Sequence, residues 1–226
     1  MNLLRPARVL LLGAPGAGKG TQTSRLLKRF DLAALSSGDL LRRNIAEQTA
    51  LGLKASAIIK QGGLLPDDVM VDVVSSELRA LGWLGGDRSW LLDGFPRTRG
   101  QAQQLDAVLA ATASQLNFVV QLKVPEEVIL ERIENRFVHV PSGRVYNLTY
   151  NPPKEAGKDD VTGEPLSRRP DDDPVTFRKR LAEYKALTEP LLEYYSRQAG
   201  VVFSVEGETS DIIYPQLEAE FVRRFT

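Results

Sequence analysis

Apolar residues fall into two kinds of stretch along the chain. Five runs are short and nearly unbroken, at 8–12, 33–36, 90–93, 117–124 and 201–205, each bounded by turn or helix signals. A strand buried on both faces needs an apolar run without polar alternation, so these read as parallel strands. Between them, apolar residues recur at helical spacing over 20–30, 38–48, 69–81, 99–113, 125–136 and 175–198. Strands alternating with helices predict an α/β fold around a doubly wound, five-stranded parallel sheet. Such a sheet gathers ligands at the carboxyl ends of its strands.

Two segments break the alternation. Residues 37–65 are helical but supply no strand, and Pro66 closes them. Residues 137–172 show short β-alternation, two Pro- and Gly-rich turns and a Pro-Pro pair. A connection of that length is a lid or an insert, not a core element. The chain therefore divides into a core (1–36, 66–134 and 173–226), a helical lobe (37–65) and a small β-rich lid (135–172).

Composition narrows the field. The 226 residues are 42% hydrophobic and 26% charged, as in ordinary globular chains. Basic and acidic residues balance at 29 each, so no general field draws the protein to nucleic acid or an anionic membrane. Cysteine is absent, which excludes disulfides and thiolate metal sites. No apolar segment approaches the ~20 residues of a membrane helix. The opening "MNLLRPARVLLLG" is too short for a cleavable signal peptide and reads as the first strand. Six basic residues and no acid precede Asp31, a weak likeness to a mitochondrial address.

The chemistry begins at "GAPGAGKGT", residues 13–21, which joins the first strand to the first helix. Gly13, Gly18 and Lys19 match the phosphate-binding loop G-x-x-x-x-G-K-[ST] in its strand–loop–helix context. Glycines let backbone N–H groups of Gly16, Ala17, Gly18, Lys19, Gly20 and Thr21 turn toward phosphates, and the helix directs its positive end at them. Lys19 adds a point charge. Gly20 stands where a Mg²⁺-ligating hydroxyl is usual, so the metal is expected to be held by nucleotide and water. That favours a kinase with a small phosphate-bearing acceptor over a GTPase switch, which would also need an N-K-x-D base reader. Asp93, ending the strand "WLLD", is placed to hold Mg²⁺ through water. Asp39 either serves similarly or caps the helix after it.

"GAPGAGKGTQ", "SSGDLLR", "LLDGFPRT" and an R-x-x-x-R ahead of the Tyr/Pro-rich insert stand in one order, over residues 8–215. Together they resemble the adenylate kinase family of nucleoside monophosphate kinases in its long-lid form. The resemblance implies Mg²⁺-dependent transfer of a γ-phosphoryl group to a nucleoside monophosphate by a monomer. It implies catalytic roles for Lys19, Arg97, Arg136, Arg169 and Arg180. The donor would meet the loop residues together with Arg132, Arg136, Val145, Tyr146 and Thr209. Adenosine monophosphate would meet Ser37, Arg42, Gly63, Leu64, Leu65, Gly94, Phe95, Pro96, Arg97 and Gln101, with Arg169 and Arg180 closing over it. Gln101 would read an adenine edge with its two-sided amide. Arg132 and Arg136, four apart, are expected on one helix face. Asp171 and Asp172 would brace Arg136 or a neighbouring arginine.

Some family members hold zinc in the lid through two C-x-x-C pairs. The same spacings here are His139-x-x-Ser142 and Asp159-x-x-Thr162, a poor tetrahedral set. These four are expected to staple the lid by hydrogen bonds, without zinc. "QGGLLPDD", "LGW…WLLDGFPRT" and "GETSDIIYP" further resemble the mitochondrial GTP:AMP branch of the family. That likeness implies GTP as donor, with ATP the alternative, residues 207–209 near the donor base, and the mitochondrial matrix as location. A non-catalytic nucleotide-binding module is the remaining reading from another class.

Overall fold

The computed structural model describes residues 1–169, 171–198 and 200–226. In chain order the first half comprises β1 (Arg8–Gly13), α1 (Lys19–Arg29), β2 (Ala33–Ser36), α2 (Ser37–Ala46), α3 (Ala50–Lys60), α4 (Asp67–Ala80), β3 (Trp90–Asp93) and α5 (Arg99–Ala111). Then come β4 (Phe118–Lys123), α6 (Glu126–Glu134), β5 (Arg136–Val138), β6 (Val145–Asn147) and α7 (Pro174–Glu183). A π turn (Tyr184–Thr188), α8 (Leu191–Ser196), β7 (Val202–Glu206) and α9 (Ser210–Phe225) complete the chain. The main sheet runs β2-β3-β1-β4-β7, with every pairing parallel.

Both faces of this sheet are covered, as all-parallel strands require. Successive β1 residues point to opposite sides. Leu10 and Leu12 enter a core with α2, α4, α5 and α8, whereas Val9 and Leu11 enter one with α1, α6, α7 and α9. Trp90, Leu10 and Leu78 are completely buried in the first core, and Phe118, Phe221 and Leu26 are nearly or completely so in the second. The carboxyl ends of β1 and β3 therefore sit on a rigid platform.

Side-chain caps fix where helices begin. Ser36 accepts from the Asp39 N–H at 3.2 Å, Thr49 from Gly52 at 3.0 Å and Thr98 from Gln101 at 3.1 Å. Asp173 caps α7 ahead of Pro174, whose missing N–H is no loss at a first helical position. Ser36, not Asp39, is thus the cap of α2, because β2 runs directly into the helix and leaves Ser36 at the junction.

Three elements differ from the sequence expectation. The helix predicted over 125–136 ends at Glu134, with Asn135 as its C-cap, so Arg136 opens β5 and shares no helix face with Arg132. The single helix predicted over 175–198 is divided. Glu189 donates to Tyr184 O, a wide i−5 bond, and Pro190, which has no N–H, begins a new helix. Lastly, α9 was not anticipated. Pro215 lies inside it, yet Ile213, Leu217, Phe221 and Phe225 recur every four residues and are all buried. Packing of that stripe outweighs the one backbone bond that proline removes.

The segment that follows α6 is built on the antiparallel pair β5–β6, with bridges from Val138 to Ser167 and from Lys158 to Pro165. Its tip reaches α2, for a Cβ built on Gly143 would come 3.9 Å from an Asp39 carboxylate oxygen. Among the described residues no helix is long and apolar enough to cross a membrane.

Candidate active site

The loop after β1 takes its shape from two left-handed glycines, Gly16 (φ 82°) and Gly18 (φ 91°). A side chain at Gly16 would also press on Ile129, whose Cγ2 would be 3.0 Å away. Lys19 begins α1 and folds back, its Nζ donating to Gly13 O at 2.7 Å and Ala14 O at 3.0 Å. The loop is thus closed on its own lysine. Gly20 is exposed, and a Cβ there would meet nothing within 4 Å, so sterics do not explain the missing hydroxyl.

Below the loop a cleft is lined by Lys19, Gly94, Pro96, Arg97, Arg180 and Thr188, among others. A second lies between the core and the helices of residues 37–65. Gly62, Leu64, Gly94, Arg97 and Arg180 line both, so the two clefts adjoin. The second part collects Ser37, Arg42, Gly63, Leu64, Leu65, Phe95 and Gln101. Its apolar walls, Leu41, Ile59 and Met70, were not singled out in the sequence. Each reads there as an ordinary core position of an amphipathic helix.

Charge in this cavity is unbalanced. Burial lowers the Lys19 ammonium to about 8 against the pull of Asp93, and Arg97, Arg180 and Arg136 push the same way. Burial and the neighbouring Arg180 bring Arg97 down to about 10; burial and Arg42 do the same to Arg169. Arg180 is lowered too, by burial foremost. Burial raises Asp93, and Lys19 offsets part of that rise. Buried cations that depress one another are stabilised by anions placed among them.

Each arginine is aimed by a particular bond. Arg97 donates from Nε to Gly94 O at 2.7 Å, while its backbone N–H donates to Gln101 Oε1 at 2.8 Å. That bond uses one lone pair of the Gln101 carbonyl oxygen and leaves its NH₂ without a partner in this bond. Ser37 Oγ donates to Gly94 O at 2.7 Å. Arg42 pairs with Asp39. Arg136 donates from Nε to Asp172 Oδ2 at 2.8 Å, and Arg180 Nη1 lies 2.7 Å from Asp171 Oδ2. Burial opposes ionisation of Asp171, yet Arg180 and Arg136 hold it below the usual carboxylate range. Arg132 joins three segments. It donates to Glu208 O at 2.7 Å and to Gly16 O at 3.4 Å, and stacks 5.5 Å from the centre of the Tyr150 ring. Thr209 caps α9 by accepting from Ile212 N–H at 3.3 Å.

The lid pair divides. Val145 is open to solvent, whereas Tyr146 is buried in the lid, its hydroxyl donating to Asp159 at 2.9 Å and accepting from Asp160 N–H at 2.8 Å. The Tyr146 hydroxyl is therefore not presented to a donor nucleotide. Asp159 also takes Arg144 at 2.7 and 2.6 Å and the Thr162 hydroxyl at 3.0 Å. His139 bridges Ser142 at 2.7 Å and Glu164 at 2.6 Å. Arg144 foremost holds the Asp159 carboxyl far below its usual range. Among the described residues no three His, Cys, Asp or Glu side chains converge on a point that could hold a metal.

The chain can be set beside known proteins on this basis. Residues 11–200 match the family model for adenylate kinase. The chain is 58% identical to a mitochondrial GTP:AMP phosphotransferase of Saccharomyces cerevisiae over 217 residues, covering 96% of this chain and 92% of that one. The counterpart from strain S288c is also 58% identical, covering 94% and 95%. An adenylate kinase of Aspergillus niger is 46% identical, covering 84% of this chain and 73% of its own. With a phosphate loop of this shape opening on a two-part cationic cavity, and a family model spanning most of its length, the chain belongs to the adenylate kinase family.

Proposed function

We propose that the protein transfers the γ-phosphoryl group of GTP to AMP, giving GDP and ADP, in the mitochondrial matrix. The observation that carries this reading is the cleft lined together by Lys19, Arg97 and Arg180, where buried cations outnumber the carboxylates that offset them. Donor and acceptor location follow the two yeast relatives, named mitochondrial GTP:AMP phosphotransferases. ATP as donor is the second reading, favoured by the 46% identity to a protein named adenylate kinase.

In this account the loop N–H groups and Lys19 hold the donor phosphates, while Arg132 braces the base end through Glu208 and Gly16. Arg42 and Arg97 grip the acceptor phosphate, with Ser37 and Gln101 beside the nucleoside. An acceptor phosphate oxygen attacks the γ-phosphorus in line as the bond to the β-phosphate oxygen breaks. Arg136, Arg169 and Arg180 neutralise charge on the equatorial oxygens; the protein's work is positioning and electrostatics. Closure of the lid keeps water from the γ-phosphorus. Asp93, at the end of β3 beside Lys19, would hold Mg²⁺ brought with the nucleotide, and that ion would supply further charge neutralisation.

We assign 1–36, 66–134 and 173–226 to the core, 37–65 to acceptor binding and 135–172 to the lid. The hydrogen-bond network of His139, Ser142, Asp159 and Thr162 supports a lid that needs no zinc. The protein acts as a monomer, without nucleic-acid or membrane partners. Initial rates of AMP phosphorylation with Mg²⁺ and either GTP or ATP test the donor. A large preference for GTP is expected; equal or faster use of ATP overturns the donor assignment.

A further inference from the structure

Thr188 ends the π turn and is buried, with 7% of its surface exposed. Threonine in a helix commonly bonds back to the carbonyl four residues earlier. Here that carbonyl, Tyr184 O, accepts from Glu189 N–H instead. The Thr188 hydroxyl is released outward and donates to Arg97 O at 2.8 Å.

The wide turn also changes which residues align. In an unbroken α-helix, eight residues sweep about 800°, leaving Arg180 and Thr188 about 80° apart. A π turn absorbs one extra residue, so the same eight positions sweep about the angle of seven, near 700°, and fall within about 20° of each other. Both residues line the same cleft. The Thr188 bond therefore ties the helical segment that carries Arg180 to the backbone that carries Arg97.

The geometry points to Thr188 as a positioning residue for the acceptor-phosphate clamp, resting on the reading of Arg97 given above. Gln101 pins the N–H of Arg97 and Thr188 pins its carbonyl, so the guanidinium projects from a backbone held on both sides. Loss of the hydroxyl leaves a carbonyl in a partly buried site without its donor and lets Arg97 shift relative to Arg180. Donor phosphates, held by the loop, should be indifferent to the change.

The test compares wild type with Thr188→Val, which keeps shape, and Thr188→Ser, which keeps the hydroxyl. KM for AMP and for GTP and kcat are measured for each, with AMP affinity alone by calorimetry. Thr188→Val should lower kcat/KM for AMP about tenfold and weaken AMP binding similarly, as expected for one buried hydrogen bond. KM for GTP should stay within about twofold, and serine should restore most of the loss. Thr188→Cys, of similar size with a weak donor, replaces the valine variant in the same comparison should that not fold. Unchanged AMP parameters, or equal losses for both substrates that serine does not restore, overturn the proposal. A wild-type protein that phosphorylates no AMP overturns the functional reading instead.

Discussion

Asp172, at the trailing end of the lid, and Arg136, at its start, are joined through both carboxylate oxygens. Their side chains are only 2% and 12% exposed, and beside them Asp171 pairs with Arg180 of α7 through one carboxylate oxygen. The two ends of the segment proposed as the lid are thus fastened to each other by buried charge. Breaking a buried pair strands one ion without its partner, which typically costs about 3–5 kcal/mol. Asp172→Ala should therefore destabilise the protein by about 3 kcal/mol in urea unfolding. A loss below about 1 kcal/mol would mean that Arg136 readily finds another anion or water.

Arg97 should matter to one substrate more than the other. Its guanidinium stands where the two parts of the cavity meet, oriented by Gly94. A charge-assisted hydrogen bond contributes about 1.5–3 kcal/mol, so Arg97→Ala should cost about 10- to 150-fold in kcat/KM for AMP. Donor binding, measured separately by calorimetry, should change far less. Equal losses in both would remove Arg97 from the acceptor side.

Lys19 makes donor binding depend on pH. Its folded value, about 8, lies below the ordinary 10.5, so the unfolded chain holds the proton more tightly. The cost of keeping Lys19 charged is therefore fully present below about pH 8 and fades as pH rises toward the unfolded value. Bound phosphates reverse the depression and favour the ammonium form. Donor binding at about pH 8.5 should take up protons, seen as a dependence of the calorimetric heat on buffer ionisation. Lys19→Arg, always charged, should abolish that uptake. Uptake that survives the substitution would assign the proton to another group.

Two glycines should respond in opposite directions. A Cβ at Gly52 would stand 2.0 Å from Asn44 O, where α3 crosses the end of α2. Overpacking of this kind costs about 1–3 kcal/mol, so Gly52→Ala should loosen the 37–65 lobe and raise KM for AMP. At Gly20 the space is open, and alanine in the first turn of α1 should stabilise by about 0.5 kcal/mol. Thermal melting of both variants checks the pair, and a destabilised Gly20→Ala would mean the loop's shape needs that glycine.

The sheet and the phosphate loop could be read because their signals are local. An unbroken apolar run such as "RVLLL" and a glycine pattern ahead of Lys19 depend on nothing distant. Arg136 was misplaced because a helix can end two residues before a charged side chain without any proline or glycine to announce it. The π turn was invisible, since the tertiary bond that accompanies it, from Thr188 to Arg97, spans 91 residues. The aromatic stripe of α9 was present in the sequence, but Pro215 masked it. The bond from the Arg97 N–H to the Gln101 amide oxygen was not legible either, because it depends on how the turn after β3 meets the start of α5.

The measurement that bears most directly on the central claim uses GTP labelled in its γ-phosphoryl group, with AMP, Mg²⁺ and the purified protein. The account predicts label in ADP, in step with GDP and with little in inorganic phosphate. Label appearing chiefly as inorganic phosphate, or remaining in GTP while nucleotide stays bound, would contradict it.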